Sequence, residues 1–90
     1  MKINGLDRAC CIIYFDDTDG IYANKEVILD GEKFNNNTFY FIAPRTAWRY
    51  QSPTHMNRHI CKFVDESERE SLINYIVHKA KELGYELIRW

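Results

Sequence analysis

The sequence predicts an α+β domain in which one long C-terminal helix packs on an antiparallel sheet of about four to five strands and is followed by a final short strand. Three observations carry this. A stripe of apolar residues with helical period runs through the last third of the chain, and short apolar or aromatic runs of strand length precede it, most of them bounded by Asp, Asn, Gly or Pro. Ninety residues suffice for one two-layer core and not for two, so residues 1–90 are read as a single domain.

The helix is expected from Asp65 to Gly84. Leu72, Ile73, Ile76, Val77, Ala80 and Leu83 fall on one stripe of a 3.6-residue period. Asp65 is placed as N-cap with Glu68 closing a capping box. Glu66, Glu68 and Glu70 crowd the first turns and Lys79 and Lys81 the last, the order that the helix dipole favours. Gly84 can adopt the left-handed conformation that ends a helix, and Tyr85 to Trp90 leaves as a strand.

Upstream lies the sheet against which that stripe must pack. Ala9 to Phe15 is a continuous apolar run, expected as a central strand buried on both faces and closed by the acidic turn Asp16 to Gly20. Ile21 to Leu29 reads as a second strand, Asp30-Gly31 as a hairpin dipeptide, and Glu32 to Thr38 as a loop or the edge of a hairpin. Thr38 to Ala43 is a third strand, stopped by Pro44, which lacks the N–H a ladder needs. Ala47 to Tyr50 is a short strand or a turn, Ser52 to Asn57 a loop, and His59 to Val64 a further strand.

Cys10, Cys11 and Cys61 are odd in number, and the adjacent pair must point to opposite faces of a strand. This is no disulfide framework. With neither a signal-like apolar segment nor a membrane-length run, it predicts a reduced, cytoplasmic setting. No metal and no cofactor are expected: there is no C-x-x-C pair, and His55, His59 and His78 lie apart from the cysteines. FDDTDGIYANKE places Asp17, Asp19 and Glu26 at three positions of a calcium loop, but Phe15 stands where the first ligand belongs.

A formal net charge of −1 argues against a general nucleic-acid or membrane-surface binder. The charge is unevenly spread. Between Lys33 and Val64 there is no acid, while Lys33, Arg45, Arg49, Arg58 and Lys62 are interleaved with Tyr40, Phe41, Trp48 and Tyr50. One alternative reading is thus a small single-stranded nucleic-acid-binding or regulatory module that uses Arg45, Trp48, Arg49, Tyr50, Arg58 and Lys62. A second is a ribonuclease-like enzyme with His55 or His59 as acid or base. No phosphate loop, nucleophile elbow or paired-acid motif accompanies either, and the first expectation is that the chain is not an enzyme.

FYFIAPRTAWRYQSP combines an aromatic strand with Trp48 and, five residues on, Pro53. A helix opening in Asp, Glu and Ser follows, then a closing strand patterned on Lys81, Gly84, Tyr85, Leu87 and Arg89. In these features the last fifty or so residues resemble the immunity protein 74 family of bacterial polymorphic-toxin and contact-dependent growth-inhibition systems. The resemblance implies a protein that binds the toxic C-terminal domain, expected to be a nuclease, of an effector made by the same cell and blocks it by occluding its active site or surface, without catalysis. The residues expected to meet the toxin are the acids Asp16, Asp17 and Asp19, as concentrated exposed charge, and Trp48, Arg49 and Tyr50, as side chains of the types that anchor interfaces.

Overall fold

The computed structural model describes residues 1–55 and 57–90. Among them it shows strands β1 (Lys2–Leu6), β2 (Cys10–Tyr14), β3 (Glu26–Asn35), β4 (Thr38–Phe41), β5 (Ala47–Gln51), β6 (His59–Phe63) and β7 (Glu86–Arg89), with helix α1 (Glu66–Glu82) and 3₁₀ turns at Asp17–Tyr22 and Ala43–Arg45. The architecture is the expected one, an open sheet with a single long helix packed against it and a final strand. The sheet is larger than expected because Lys2–Leu6, polar and glycine-containing, pairs antiparallel with β2.

Helix α1 buries Leu72, Ile73, Ile76 and Ala80 against Ile13, Phe15, Val27, Leu29, Phe39, Phe41 and Leu87 of the sheet. Only one sheet face is covered. Cys11 and Ile13 are therefore buried while Cys10, Ile12 and Tyr14 stay half-buried, so the apolar run of β2 has one fully buried face rather than two. The helix ends as expected: Gly84 takes a φ of 88°, and Tyr85 N–H reaches back to the Ala80 carbonyl at 2.8 Å. Leu83, expected on the buried stripe, is 47% exposed because it lies past the last helical turn. The start also differs. Asp65 is the N-cap, but its carboxylate makes no capping hydrogen bond, and the Glu68 carboxylate instead accepts from Trp48 Nε1 at 3.3 Å. A capping box forms elsewhere, between Asp16 and Asp19 around the first 3₁₀ turn.

The second strand begins later than expected. Gly20 and Asn24 have φ values of 60° and 64°, incompatible with a strand through Ile21, and that stretch closes the 3₁₀ turn instead. Strand β3 then runs unbroken through Asp30-Gly31, which is not a hairpin turn, and on through Glu32 to Asn35, which form the edge of a hairpin, one of the two expected readings: the chain turns at Asn36–Asn37 and pairs back as β4. Its partner changes along one edge: Glu26–Ile28 pair with β5, whereas Gly31–Asn35 pair with β4. Between β4 and β5 the returning chain steps aside over Ile42–Thr46. Arg45 holds Asp30 there at 2.6 Å. Beyond this fork β6 adds to β5 and β7 adds to β4, the latter in parallel, so the sheet is not a plain antiparallel meander. The loop expected at Ser52 to Asn57 includes Met56, which lies outside the described residues; beside it Ser52 Oγ accepts from His55 N–H at 3.2 Å.

Gly31 is required by close approach. A Cβ there would stand 1.9 Å from the Tyr40 carbonyl oxygen and 2.8 Å from Phe41 Cα, both backbone atoms that cannot swing away. Gly31→Ala should lower the unfolding free energy by about 3 kcal/mol, the upper range for overpacking. Gly5→Ala, whose Cβ would meet only Asp7 Oδ2 at 3.9 Å, should be nearly neutral. Urea unfolding of both variants checks this, and equal stability of the two would contradict it.

Candidate interaction surface

Side chains on a strand alternate between faces, so the burial of Phe39 and Phe41 under α1 turns Tyr40 to the uncovered face. Two further rings meet it there. Phe34, near the end of β3, stands edge-on to Tyr40 with centroids 6.0 Å apart, and Trp90, just past β7, approaches at 6.4 Å. The Trp90 N–H extends the ladder by bonding the Phe41 carbonyl at 2.8 Å, which fixes the backbone that carries the ring. Phe34 and Trp90 are each 68% exposed. With Glu32, Lys33 and Arg89 the three rings line a shallow depression of about 600 Å³.

The rim is held in place by charge. Both Arg89 guanidinium ends donate to Glu70, at 2.9 and 2.8 Å, a bidentate pair that ties β7 to α1. Hydrogen bonding to Arg89 holds the Glu70 carboxyl below its ordinary range. The result is an ordered aromatic surface with a polar edge, the composition that protein interfaces favour.

The residues expected from sequence lie elsewhere. Asp19 is not exposed charge: it is 2% exposed, accepts the Tyr75 hydroxyl at 2.6 Å and the Asp16 N–H at 2.8 Å, and stands 2.9 Å from the Met1 ammonium. Asp16 accepts from Thr18 and also holds the Met1 ammonium, at 2.9 Å. Asp17 is exposed. Trp48 packs half-buried against the core, with Lys25 Nζ 5.1 Å from its ring and Tyr22 at 6.3 Å. Arg49 pairs with Glu26 on the opposite face, and Tyr50, 45% exposed, is the one ring of the expected set left largely to solvent. Because Trp48, Arg49 and Tyr50 are consecutive on a strand, alternation prevents them from forming one surface.

Of the groups weighed for chemistry, His59 borders a groove with Tyr14, Glu26 and Arg49, while His78 faces Glu82 on α1 at 3.5 Å. Among the described residues no three His, Cys, Asp or Glu side chains gather as a metal site. No helix there is long and apolar enough to cross a membrane. The cysteines are free, and burial pushes the Cys11 thiol up to about 12. Comparison of the chain with protein-family models, curated proteins and solved structures found no match.

The Asp19–Tyr75 bond gives a pH signature. Burial pushes the Asp19 carboxyl up, but hydrogen bonds from Tyr75, the Met1 ammonium and Asp16 together hold it below its ordinary 3.8. Asp19 hydrogen bonding pushes the Tyr75 phenol up to about 12, from an ordinary 10.0. The carboxylate thus contributes stability above about pH 4 that is lost as pH falls through its lowered value, and the phenol contributes stability below about pH 10 that is lost as pH rises toward 12. Tyr75→Phe should cost about 1–3 kcal/mol near neutral pH by leaving a buried carboxylate short of a donor. The Tm difference between wild type and variant should stay flat from about pH 5 to 9 and shrink on either side; a pH-independent difference would refute the assignment.

Proposed function

We propose that this chain is a non-catalytic protein-binding domain that neutralises the toxic domain of a bacterial effector by stoichiometric occlusion, in the cytoplasm of the cell that makes both. The observation that supports binding is the aromatic surface of Phe34, Tyr40 and Trp90, ordered by β4 and β7 and left uncovered by α1. Exposed aromatic side chains in a fixed array contribute large contact area at little entropic cost when a partner covers them. The choice of a toxin as that partner rests on the sequence resemblance.

A protein partner is favoured over a nucleic-acid strand by the fate of Arg45, Arg49 and Trp48 in the basic middle third. Arg45 and Arg49 are neutralised by Asp30 and Glu26, and Trp48 is engaged with Glu68, Lys25 and Tyr22. These groups are not free to stack bases or contact phosphates.

The tagged protein should retain one partner at equal stoichiometry from its own cells, and that partner's toxicity should be relieved by co-expression. Trp90→Ala and Phe34→Ala should each weaken the complex by about 2 kcal/mol or more with little change in Tm. Trp48→Ala should mainly lower Tm, since it opens a cavity at the core's edge and leaves Glu68 without its indole donor. Calorimetric titration and thermal melts separate these effects. Full affinity in a Phe34→Ala/Trp90→Ala double variant would overturn the assignment of this surface.

A further inference from the structure

Helix α1 carries an arginine where its dipole disfavours one. Arg69 lies near the N-terminal end of the helix, where the unpaired N–H groups favour the acids Glu66, Glu68 and Glu70 around it. Its Nε is sealed from solvent and has no hydrogen-bond acceptor, and among the described residues no carboxylate stands within ion-pair distance of its guanidinium. Glu70, next in sequence, feels the charge of Arg69, yet both its oxygens are taken by Arg89. The sealed Nε is out of reach of any ligand, so what the chain offers outward is the remaining, open part of this half-buried guanidinium, whose positive charge no carboxylate of the described residues pairs with.

Arg69 lines a depression of about 380 Å³ with Ile42, Ala43, Pro44, Glu70, Arg89 and Trp90. Arg89 and Trp90 also line the larger aromatic depression, so the two depressions share these side chains as a border. We infer that the smaller depression receives a carboxylate side chain, Asp or Glu, of a protein partner, its oxygens on the Arg69 guanidinium and the neighbouring apolar residue against Trp90, Ile42 and Pro44. This rests on the protein-binding reading above.

The chemistry selects the ligand. A guanidinium presents a planar fork that fits a carboxylate in two parallel hydrogen bonds, and apolar walls strengthen the pairing by keeping water out. Two guanidinium groups and one carboxylate line the depression, which leaves a single uncompensated positive charge. One carboxylate neutralises it. A phosphate, with nearly two negative charges at neutral pH, would carry excess charge beside Glu70.

The test uses the full chain, labelled with ¹⁵N, whose Arg69 Nε–Hε resonance is assigned by its loss in Arg69→Lys. Titration with the blocked dipeptide acetyl-Glu-Leu-methylamide should shift that resonance saturably, while acetyl-Gln-Leu-methylamide and inorganic phosphate should not. No shift with the Glu peptide, or an equal shift with either control, overturns the inference. Arg69→Met, which removes the unpaired donor and keeps an apolar stem, should hold or raise Tm and weaken the captured partner about tenfold or more. If Phe34→Ala and Trp90→Ala weaken capture and Arg69→Met does not, the carboxylate site is wrong and the protein-binding surface stands. If none of these variants alters capture, Arg69→Met included, the aromatic surface and the carboxylate site are both overturned, whatever Arg69 does with the Glu peptide.

Discussion

The sheet of this protein depends on one close approach of backbone to backbone, Gly31 against Tyr40 and Phe41. Any side chain at Gly31 would occupy the space of the Tyr40 carbonyl, so only glycine lets β3 pass this point while still paired. Strand β3 can then serve two partners in tandem on one edge, β5 over Glu26–Ile28 and β4 over Gly31–Asn35. Two branches grow from that choice, β5 with β6 and β4 with β7. Helix α1 closes over both, because its buried stripe is long enough to reach Val27 and Phe15 as well as Phe39 and Leu87.

How much of this was legible in the sequence follows from the range of the forces involved. The helix was legible because its stripe is set by local period, and Gly84 because a positive φ is a local demand. The fork was not. Asp30-Gly31 is the same dipeptide whether it turns a hairpin or admits a close approach, and only the returning strand decides which. Strand β1 is not legible in the sequence because Lys2, Asn4 and Gly5 give it little β character; it is held by its ladder with β2 and by Ile3 and Leu6 packing on the core. Asp19 reads as exposed charge because Tyr75, which donates to it in the fold, lies 56 positions away along the chain.

The two tryptophans show the same limit at the candidate site. Trp48 sits in the aromatic, basic tract that composition highlights, yet its register opposite Val27 puts it on the covered face. Trp90 follows a short strand near the end of the sequence and attracts no attention there, yet the parallel pairing of β7 with β4 sets its ring beside Tyr40 and open to solvent. Residue type marks both as capable anchors. Which of them is free depends on strand pairing, and strand pairing is decided far away along the chain.

Three consecutive residues of α1 connect the fork to that surface. Successive positions on a helix point about 100° apart, so Glu68, Arg69 and Glu70 diverge. Glu68 takes the indole of Trp48 on the β5 branch, and Glu70 takes Arg89 on the β7 branch. Arg69 is left over Ile42, Ala43 and Pro44, the step where the returning chain leaves the ladder. At the end of this step Thr46, fully buried, likewise keeps a hydroxyl without a partner. Where strand pairing is interrupted, polar groups lose the neighbours that a continuous sheet would have supplied. The geometry that divides the sheet therefore also creates, at the edge of the exposed aromatic surface, an unanswered cation in a recess large enough to admit an acceptor from outside.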